Sequence, residues 1–204
     1  GEIYIEGEKY ENLKPIDAIK LGIQVIYQDF AVFPNLTVAE NIAMNETLEK
    51  GKKLINWKEN REIALKSMEQ IGANIDPDAL VERLTVANKQ MVAICRAILE
   101  DAKLIILDEP TTALTAKEVE KLFGILRNLK EKGIAIVIVT HKLEEIYHIA
   151  DRLTILRNGE NVATGDIREF DRPAFIKYMT GRDIEENVYR PTMNNDEILR
   201  LEGL

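Results

Sequence analysis

The stretch Leu104–Leu114, LIILDEPTTAL, gives the strongest indication of the fold and contains the first candidate site residues. Its first four residues are apolar, which predicts a strand buried on both faces, as in a parallel sheet. The strand ends in two adjacent carboxylates, Asp108 and Glu109, and Pro110 cannot continue it. Ligands of open α/β sheets bind beyond the carboxyl ends of strands, so an aspartate there can hold Mg²⁺ and the glutamate can orient and deprotonate an attacking water. A strand that ends in a solvated polar turn is the alternative for such a pair taken by itself.

Composition narrows the class of protein. The 204 residues fit one domain, or one domain with a subdomain, and can bury a sizeable core. A net charge of −8 argues against nucleic acid as the main partner. The longest aliphatic run, Ile134–Val139, is far shorter than a membrane span of roughly 20 residues. Cys95 is the only cysteine, which excludes an intrachain disulfide and favours a buried structural thiol in a reducing compartment. These observations predict a soluble cytoplasmic protein.

A second polar residue follows a second apolar strand. Thr115 and Glu118 have capping-box spacing at the start of a predicted helix, and the strand Ile134–Thr140 comes after it. A strand, helix and strand of this length predict a right-handed parallel crossover. His141 then lies at the same sheet edge as the acids, where a neutral imidazole could hydrogen-bond a terminal phosphate or the attacking water. His148 falls within the next helix, where a structural role is expected.

A polar residue also follows the strand predicted at Ile23–Tyr27. Gln28 comes directly after this strand. Its carbonyl oxygen could complete a metal shell, or its amide could hold a water near a phosphate. A single glutamine in this position is otherwise an ordinary polar loop residue.

The segment between these strands has a helical period. Residues 35–99 contain capping signals and no convincing strand, and Thr85 has the properties of an N-cap. The backbone amides at that helix start could bind an anion such as phosphate, although capping alone explains the threonine. The predicted fold class is therefore α/β, a parallel sheet core with an inserted all-helical subdomain at about residues 35–100. Hairpins at Gly1–Tyr10 and Arg152–Gly165 add a small antiparallel β portion. The long helical insertion excludes receiver-like and flavodoxin-like domains.

In these features the chain resembles the nucleotide-binding domain of ABC transporters over nearly all of its length. Gln28 matches the Q-loop glutamine, Asp108 the Walker B aspartate and Glu109 the catalytic glutamate, while His141 matches the switch histidine. The resemblance implies a P-loop NTPase-like fold with ATP and Mg²⁺ as cofactors. It makes Asp108 and Gln28 metal-binding, Gln28 nucleotide-sensing as well, and Glu109 and His141 catalytic.

The family's signature and D-loop are matched with departures. Leu84–Asn88, LTVAN, occupies the place of the LSGGQ signature, which in the family reaches across to ATP held by a second domain. The family's two glycines are replaced, so the backbone approaches phosphate less freely. The D-loop, Ala113–Thr115, ends in threonine where the family usually has aspartate. Both departures are similar to those in tandem ATPases of bacterial ribose, galactose and xylose importers. The resemblance implies nucleotide-binding roles for Thr85, Val86, Ala87, Asn88 and Thr115.

The family's P-loop has no match in this sequence. No GxxxxGK[ST] occurs in it, and the only Gly-Lys pair, Gly51-Lys52, has Glu46 where the first glycine should be. We therefore expect an N-terminally truncated piece of a larger protein that by itself binds ATP barely or not at all. Residues 1–190 would be a partial ABC domain. Residues 191–204 would be a linker and the start of a second one.

The resemblance implies an ATP-binding and ATP-hydrolysing subunit that powers a membrane importer, with sugar as the expected solute. Its partners would be transmembrane permease subunits, a second ABC domain in the same chain or a homodimer, and indirectly a substrate-binding protein. It would have no nucleic-acid partner and would lie peripherally on the cytoplasmic face of the cell membrane. Two alternatives remain open: a soluble ABC ATPase of DNA repair or translation, and a catalytically silent regulatory half-domain.

Overall fold

The computed structural model describes residues 2–27, 32–49, 56–99 and 101–182, without the side chains of 45–49. The chain divides into two compact units, Gly1–Glu145 and Ile146–Leu204. Gln28 and the predicted boundary at residue 190 lie outside the described residues. Both therefore stay predictions.

The described secondary structure follows the predicted order. The strands are β1 (Ile3–Ile5), β2 (Glu8–Tyr10), β3 (Ile23–Ile26), β4 (Leu104–Asp108), β5 (Ala135–Val139), β6 (Arg152–Arg157) and β7 (Glu160–Asp166). The helices are α1 (Pro15–Lys20), α2 (Val38–Glu49), α3 (Trp57–Gln70), α4 (Val86–Leu99), α5 (Ala116–Glu131), α6 (Leu143–Ile149) and α7 (Arg172–Thr180). Short 3₁₀ turns occupy Val81–Arg83 and Ile167–Glu169.

A three-stranded parallel sheet in the order β3-β4-β5 organises the first unit. Val25 pairs with Ile106, which pairs in turn with Val137. At the carboxyl edge Asp108 pairs with Val139. Because parallel strands end at the same edge, this register places the residues that follow β4 and β5 side by side. The predicted parallel crossover is confirmed.

Burial of this sheet differs between its two faces. On β4 the side chains of Ile105 and Leu107 are fully buried, whereas Leu104 and Ile106 are only half-buried. On the neighbouring β5, Val137 is 45% exposed. The prediction of a strand buried on both faces is therefore right for one face and wrong for the other. An apolar run shows that the side chains on both faces of the strand are hydrophobic. Which face becomes buried depends on where the other elements of the fold pack.

The helical segment packs around α4. This helix contacts α2, α3 and β3. It is buried on several sides, since the consecutive residues Met91, Val92, Ala93 and Ile94 are all buried. Cys95 is fully buried, and burial raises the pKa of its thiol to about 12. The expected structural thiol is confirmed.

Both predicted hairpins are present. β1 pairs with β2, and β6 pairs with β7, each antiparallel. In the second hairpin Asn158 (φ 53°) and Gly159 (φ 80°) both adopt the left-handed backbone that a tight two-residue turn requires. Phe170 and Phe175 are buried in the second unit. Within the described ranges, no helix combines the length and the apolar character that crossing a membrane requires.

Candidate functional site

Two of the predicted catalytic residues are in direct contact. His141 Nδ1 lies 2.7 Å from Glu109 Oε1, although the residues are 32 positions apart. The sheet register explains the contact, because Glu109 and His141 follow the adjacent strands β4 and β5. The Glu109 N–H donates to the Val139 carbonyl at 2.9 Å, which extends the strand pairing by one residue. The parallel edge thus brings a carboxylate and an imidazole together.

Glu109 has an unusual backbone conformation. Its φ is 46°, in the left-handed region that side chains other than glycine rarely adopt. The N–H bond to Val139 precedes this turn, and the buried Pro110 follows it. The Thr112 hydroxyl donates to Glu109 Oε2 at 3.3 Å. A residue held in such a conformation marks a position where the fold overrides a local preference, as is frequent at functional sites.

The contact constrains the proton arrangement on the imidazole. Against an ionised Glu109, His141 Nδ1 carries a hydrogen and donates it to the carboxylate. In the neutral ring Nε2 is then an acceptor, suited to a water hydrogen. In the charged ring Nε2 is a donor, suited to a phosphate oxygen. The His141 side chain is 69% exposed, whereas that of Glu109 is 23% exposed, so the imidazole is open to a ligand.

Asp108 is the half-buried last residue of β4. Mg²⁺ commonly takes one or two protein carboxylates and fills its other positions with water and phosphate oxygens. Asp108 and its neighbour Glu109 fit that donor set, although the described residues contain no group of three or more metal-binding side chains. β3 ends beside β4, since Ile26 pairs with Leu107. Gln28, two residues beyond β3, lies outside the described residues.

The predicted residues at the start of α4 make local contacts. Thr85 is exposed, and its hydroxyl accepts the Asn88 N–H at 3.3 Å. Val86, Ala87 and Asn88 form the first turn of the helix. Thr85 is therefore the N-cap that its sequence predicts. No hydrogen bond or ion pair in the described part of the chain joins this turn to Glu109 or His141.

Thr115 caps α5. Its N–H and hydroxyl donate to Glu118 Oε2 at 2.9 and 2.8 Å, as the capping-box spacing predicts. These hydrogen bonds, from the Thr115 backbone and then its side chain, lower the pKa of Glu118. The contact gives Thr115 a structural role. Its nucleotide-binding role stays a prediction.

Sequence reasoning missed a polar cluster in the turns that follow Glu109 and His141. Thr111, Lys142 and Glu145 hydrogen-bond one another, and Thr111 is fully buried. The i,i+3 spacing of Lys142 and Glu145 is a signal for an ion pair in a helical turn. The buried threonine has no comparable signal, because its partners lie 31 and 34 positions away.

The sequence of this chain is similar to those of known ATP-binding transport proteins. The sequence profile described as "ABC transporter" matches residues 1–112. The ribose import ATP-binding protein RbsA of Clostridium perfringens is 42% identical, and RbsA 3 of Rubrobacter xylanophilus is 40% identical. Both alignments cover the whole of this chain but only 41% of each relative, so the chain spans about two fifths of the length of these proteins.

Solved structures agree with the fold. The ADP conformation of MJ1267, an ATP-binding cassette of an ABC transporter, has a TM-score of 0.73 at 25% identity, covering 88% of this chain and 76% of that one. The dimeric post-hydrolysis state of the cassette MJ0796, bound to ADP and Pi, has a TM-score of 0.68 at 28% identity, covering 83% and 75%. The α/β fold predicted from the sequence is that of these cassettes, and with the profile match over more than half of its length the chain belongs to the ABC transporter family.

Proposed function

We propose that this chain is part of the ATP-hydrolysing subunit of a sugar importer. The observation that carries the proposal is the 2.7 Å contact between Glu109 and His141 at the carboxyl edge of the parallel sheet. The names of its relatives, which are ribose import ATP-binding proteins, support sugar as the solute class. The reaction is in-line attack of water on the γ-phosphate of ATP.

Glu109 and His141 have different roles toward the attacking water. Glu109 accepts a hydrogen bond from the water and takes its proton as the nucleophile attacks. Its carboxylate has lone pairs to spare while it accepts from His141 and Thr112. His141 holds that carboxylate in place through Nδ1 and offers Nε2 to the water or the terminal phosphate.

Asp108 is the residue that holds Mg²⁺, with Gln28 as the predicted second ligand. When bound, the ion supplies positive charge that stabilises the charge on the phosphate oxygens. Asp108 suits this role because it ends β4 one residue before Glu109, so one strand end serves the metal and the water.

ATP binding requires groups that the 204 residues lack. The glycine amides and lysine of a P-loop supply most of the electrostatic grip on the phosphates in this class of enzyme. We therefore expect isothermal titration calorimetry of this chain with Mg-ATP to give no stoichiometric binding at micromolar concentrations. Tight stoichiometric binding would show that the chain holds the nucleotide in another way.

The start of α4 serves a second domain in this proposal. Thr85, Val86, Ala87 and Asn88 face the nucleotide of a partner ABC domain, in the same polypeptide or in a homodimer, and Thr115 lies at the same interface. Closure of the two domains on ATP drives permease subunits in the membrane, on its cytoplasmic face, and a substrate-binding protein delivers the solute. The dimeric cassette among the solved relatives supports such pairing.

The test is Glu109→Gln in the full-length protein. We expect phosphate release to fall about 10²- to 10⁴-fold, the usual contribution of a general base, while ATP-driven closure persists. Glu144→Gln is the matched control, since Glu144 is an exposed carboxylate of α6. Turnover at the wild-type rate in Glu109→Gln removes Glu109 as the base. Co-purification with nucleic acid in place of a permease contradicts the importer assignment.

A catalytically silent half-domain is the second candidate, which the altered LTVAN signature leaves open. Valine and alanine at positions 86 and 87 add side chains where the family has glycines. This change affects the nucleotide site of the partner domain, because the signature reaches across the interface. Measuring ATP turnover separately in each site of the full-length protein distinguishes the two candidates. Absence of turnover at the site containing Glu109 supports the silent one.

A further inference from the structure

A buried polar cluster joins the turns that carry Glu109 and His141. We name it the Thr111 clamp, formed by Thr111, Lys142 and Glu145. The Thr111 hydroxyl donates to Glu145 Oε2 at 2.5 Å. Lys142 Nζ donates to the Thr111 carbonyl at 2.9 Å and to its hydroxyl at 3.2 Å, and lies 3.2 Å from Glu145 Oε1. Thr111 is fully buried, while Lys142 is 33% and Glu145 16% exposed.

Within the clamp, the hydrogen-bonding groups are paired with one another and the charges balance. The ammonium of Lys142 has three N–H donors, and the three oxygens that surround it take one each. The hydroxyl of Thr111 both donates and accepts. One positive and one negative charge balance, as a partly buried pair requires. Hydrogen bonds to charged groups are the stronger kind, so this cluster fixes the relative positions of its backbone segments.

Those segments are the ones that carry the reacting side chains. Thr111 is separated from Glu109 by Pro110 alone, whose ring fixes its own backbone angle. Lys142 directly follows His141, and its N–H donates to the Thr140 hydroxyl at 3.1 Å. The backbone on both sides of His141 is therefore held, although the imidazole is 69% exposed and has little packing of its own.

We propose that the Thr111 clamp positions the His141 imidazole against the Glu109 carboxylate, which makes Thr111, Lys142 and Glu145 positioning residues for ATP hydrolysis. The inference rests on the proposed roles of Glu109 and His141. A misplacement of about 1 Å can cost roughly 100-fold in rate, so a clamp two residues from the base has a measurable effect.

The kinetic test uses Thr111→Val in the full-length protein, since valine keeps the shape and removes the hydroxyl. We expect kcat to fall about 10- to 100-fold with little change in the KM for ATP. Thr111→Ser, which restores the hydroxyl, is expected to recover most of kcat. Glu144→Gln, one residue from the clamp, is expected to leave kcat unchanged. Wild-type kcat in Thr111→Val, or an equal loss in Thr111→Ser, overturns the proposal.

A spectroscopic test needs no turnover and also uses the full-length protein. The imidazole ¹⁵N resonances of His141 report whether Nδ1 is hydrogen-bonded, and Glu109→Ala supplies the reference for a broken contact. In Thr111→Val, and in the more exposed variant Lys142→Met, we expect the His141 resonances to move toward that reference. His148 is the internal control and should not move. Unchanged His141 resonances in folded Lys142→Met also overturn the proposal.

The two tests separate the inference from the function on which it rests. If Glu109→Gln keeps turnover, the proposed function fails whatever Thr111→Val does. If Glu109→Gln abolishes turnover while Thr111→Val keeps both its rate and its His141 resonances, the clamp alone fails.

Discussion

The carboxyl edge of the sheet and the start of α4 both hold predicted nucleotide-binding residues, but the range of their contacts differs. At the sheet edge, Glu109 and His141 meet across 32 residues of sequence. At the helix start, the described hydrogen bonds of Thr85 are local, because its hydroxyl accepts the Asn88 N–H and its carbonyl accepts the Lys89 N–H. The first arrangement is assembled by the tertiary structure of one chain, and the second is complete as soon as the helix forms.

This difference indicates how the two regions divide the proposed reaction. The sheet edge brings the proposed base Glu109, the imidazole proposed to orient it and the proposed metal-binding Asp108 together within one unit. The helix start offers an exposed hydroxyl and backbone amides. In the described residues it makes no hydrogen bond to Glu109 or His141. We infer that the first region acts within its own domain, whereas the second completes the site of a partner.

Among the variants that test this comparison, the largest effect is expected from loss of the imidazole. His141→Ala in the full-length protein should lower ATP turnover about 100-fold, because the carboxylate loses its orienting contact and the phosphate or water loses a hydrogen-bond partner. The measurement is steady-state phosphate release. His148→Ala is the control, since it removes the other histidine. A His141→Ala enzyme as fast as the control would reduce the sheet-edge contact to a structural one.

The strained backbone at Glu109 predicts an effect on stability. Glu109→Gly should be more stable than Glu109→Ala by about 1 to 2 kcal/mol, because glycine adopts a φ of 46° without steric cost. Urea denaturation of both variants gives the difference.

At a control position with ordinary helical backbone, the stability difference between glycine and alanine should have the opposite sign. At the exposed Glu120 within α5, glycine should be less stable than alanine by about 1 kcal/mol. If the glycine variant is also the less stable one at position 109, the strain at the sheet edge is absent.

At the start of α4, loss of the N-cap should lower the stability of the chain by a similar amount, through a local contact alone. Thr85→Ala should destabilise the chain by about 1 kcal/mol, the usual cost of losing an N-cap, and Thr85→Ser should restore it. Asn56→Ala removes the N-cap of α3, where the Asn56 side chain accepts the Glu59 N–H, and serves as the comparison. In the full-length protein, a loss of turnover in Thr85→Ala beyond that in Asn56→Ala would indicate contact with the partner's nucleotide. A Thr85→Ala variant as stable as wild type contradicts the capping contact.

The smallest expected effect is a pH dependence of stability that the cap of α5 shows and the cap of α4 does not. Hydrogen bonds from Thr115 lower the pKa of Glu118, so its contribution to stability is complete above its unfolded pKa of about 4.5 and is lost as the pH falls through the lower folded value. Glu118→Gln should remove this acid dependence in urea titrations at a series of pH values. The cap at Thr85 has Asn88 in the equivalent position and should show none. An unchanged pH profile in Glu118→Gln would contradict the capping box.

Much of the fold follows from local patterns. The strands β3, β4 and β5, the caps at Thr85 and Thr115, and the Asn158-Gly159 hairpin turn lie where their residues predict them. The caps and the turn depend on interactions within a few residues, and each strand is marked by its own apolar run, although its pairing partners are distant in the sequence. The burial of α4 on several sides and the half-exposed face of β4 do not follow from these patterns, since both depend on which elements pack against them.

Residue order and apolar runs were enough to place Asp108, Glu109 and His141 at the ends of parallel strands, because the two runs and the helix between them leave one sheet edge for these residues. The contact between Nδ1 and Oε1, the positive φ of Glu109 and the hydrogen bonds of Thr111 to Lys142 and Glu145 became visible only in the folded chain. Periodicity and spacing define faces and edges. A hydrogen bond across 30 residues needs the register, twist and packing that place its two atoms within 3 Å of each other.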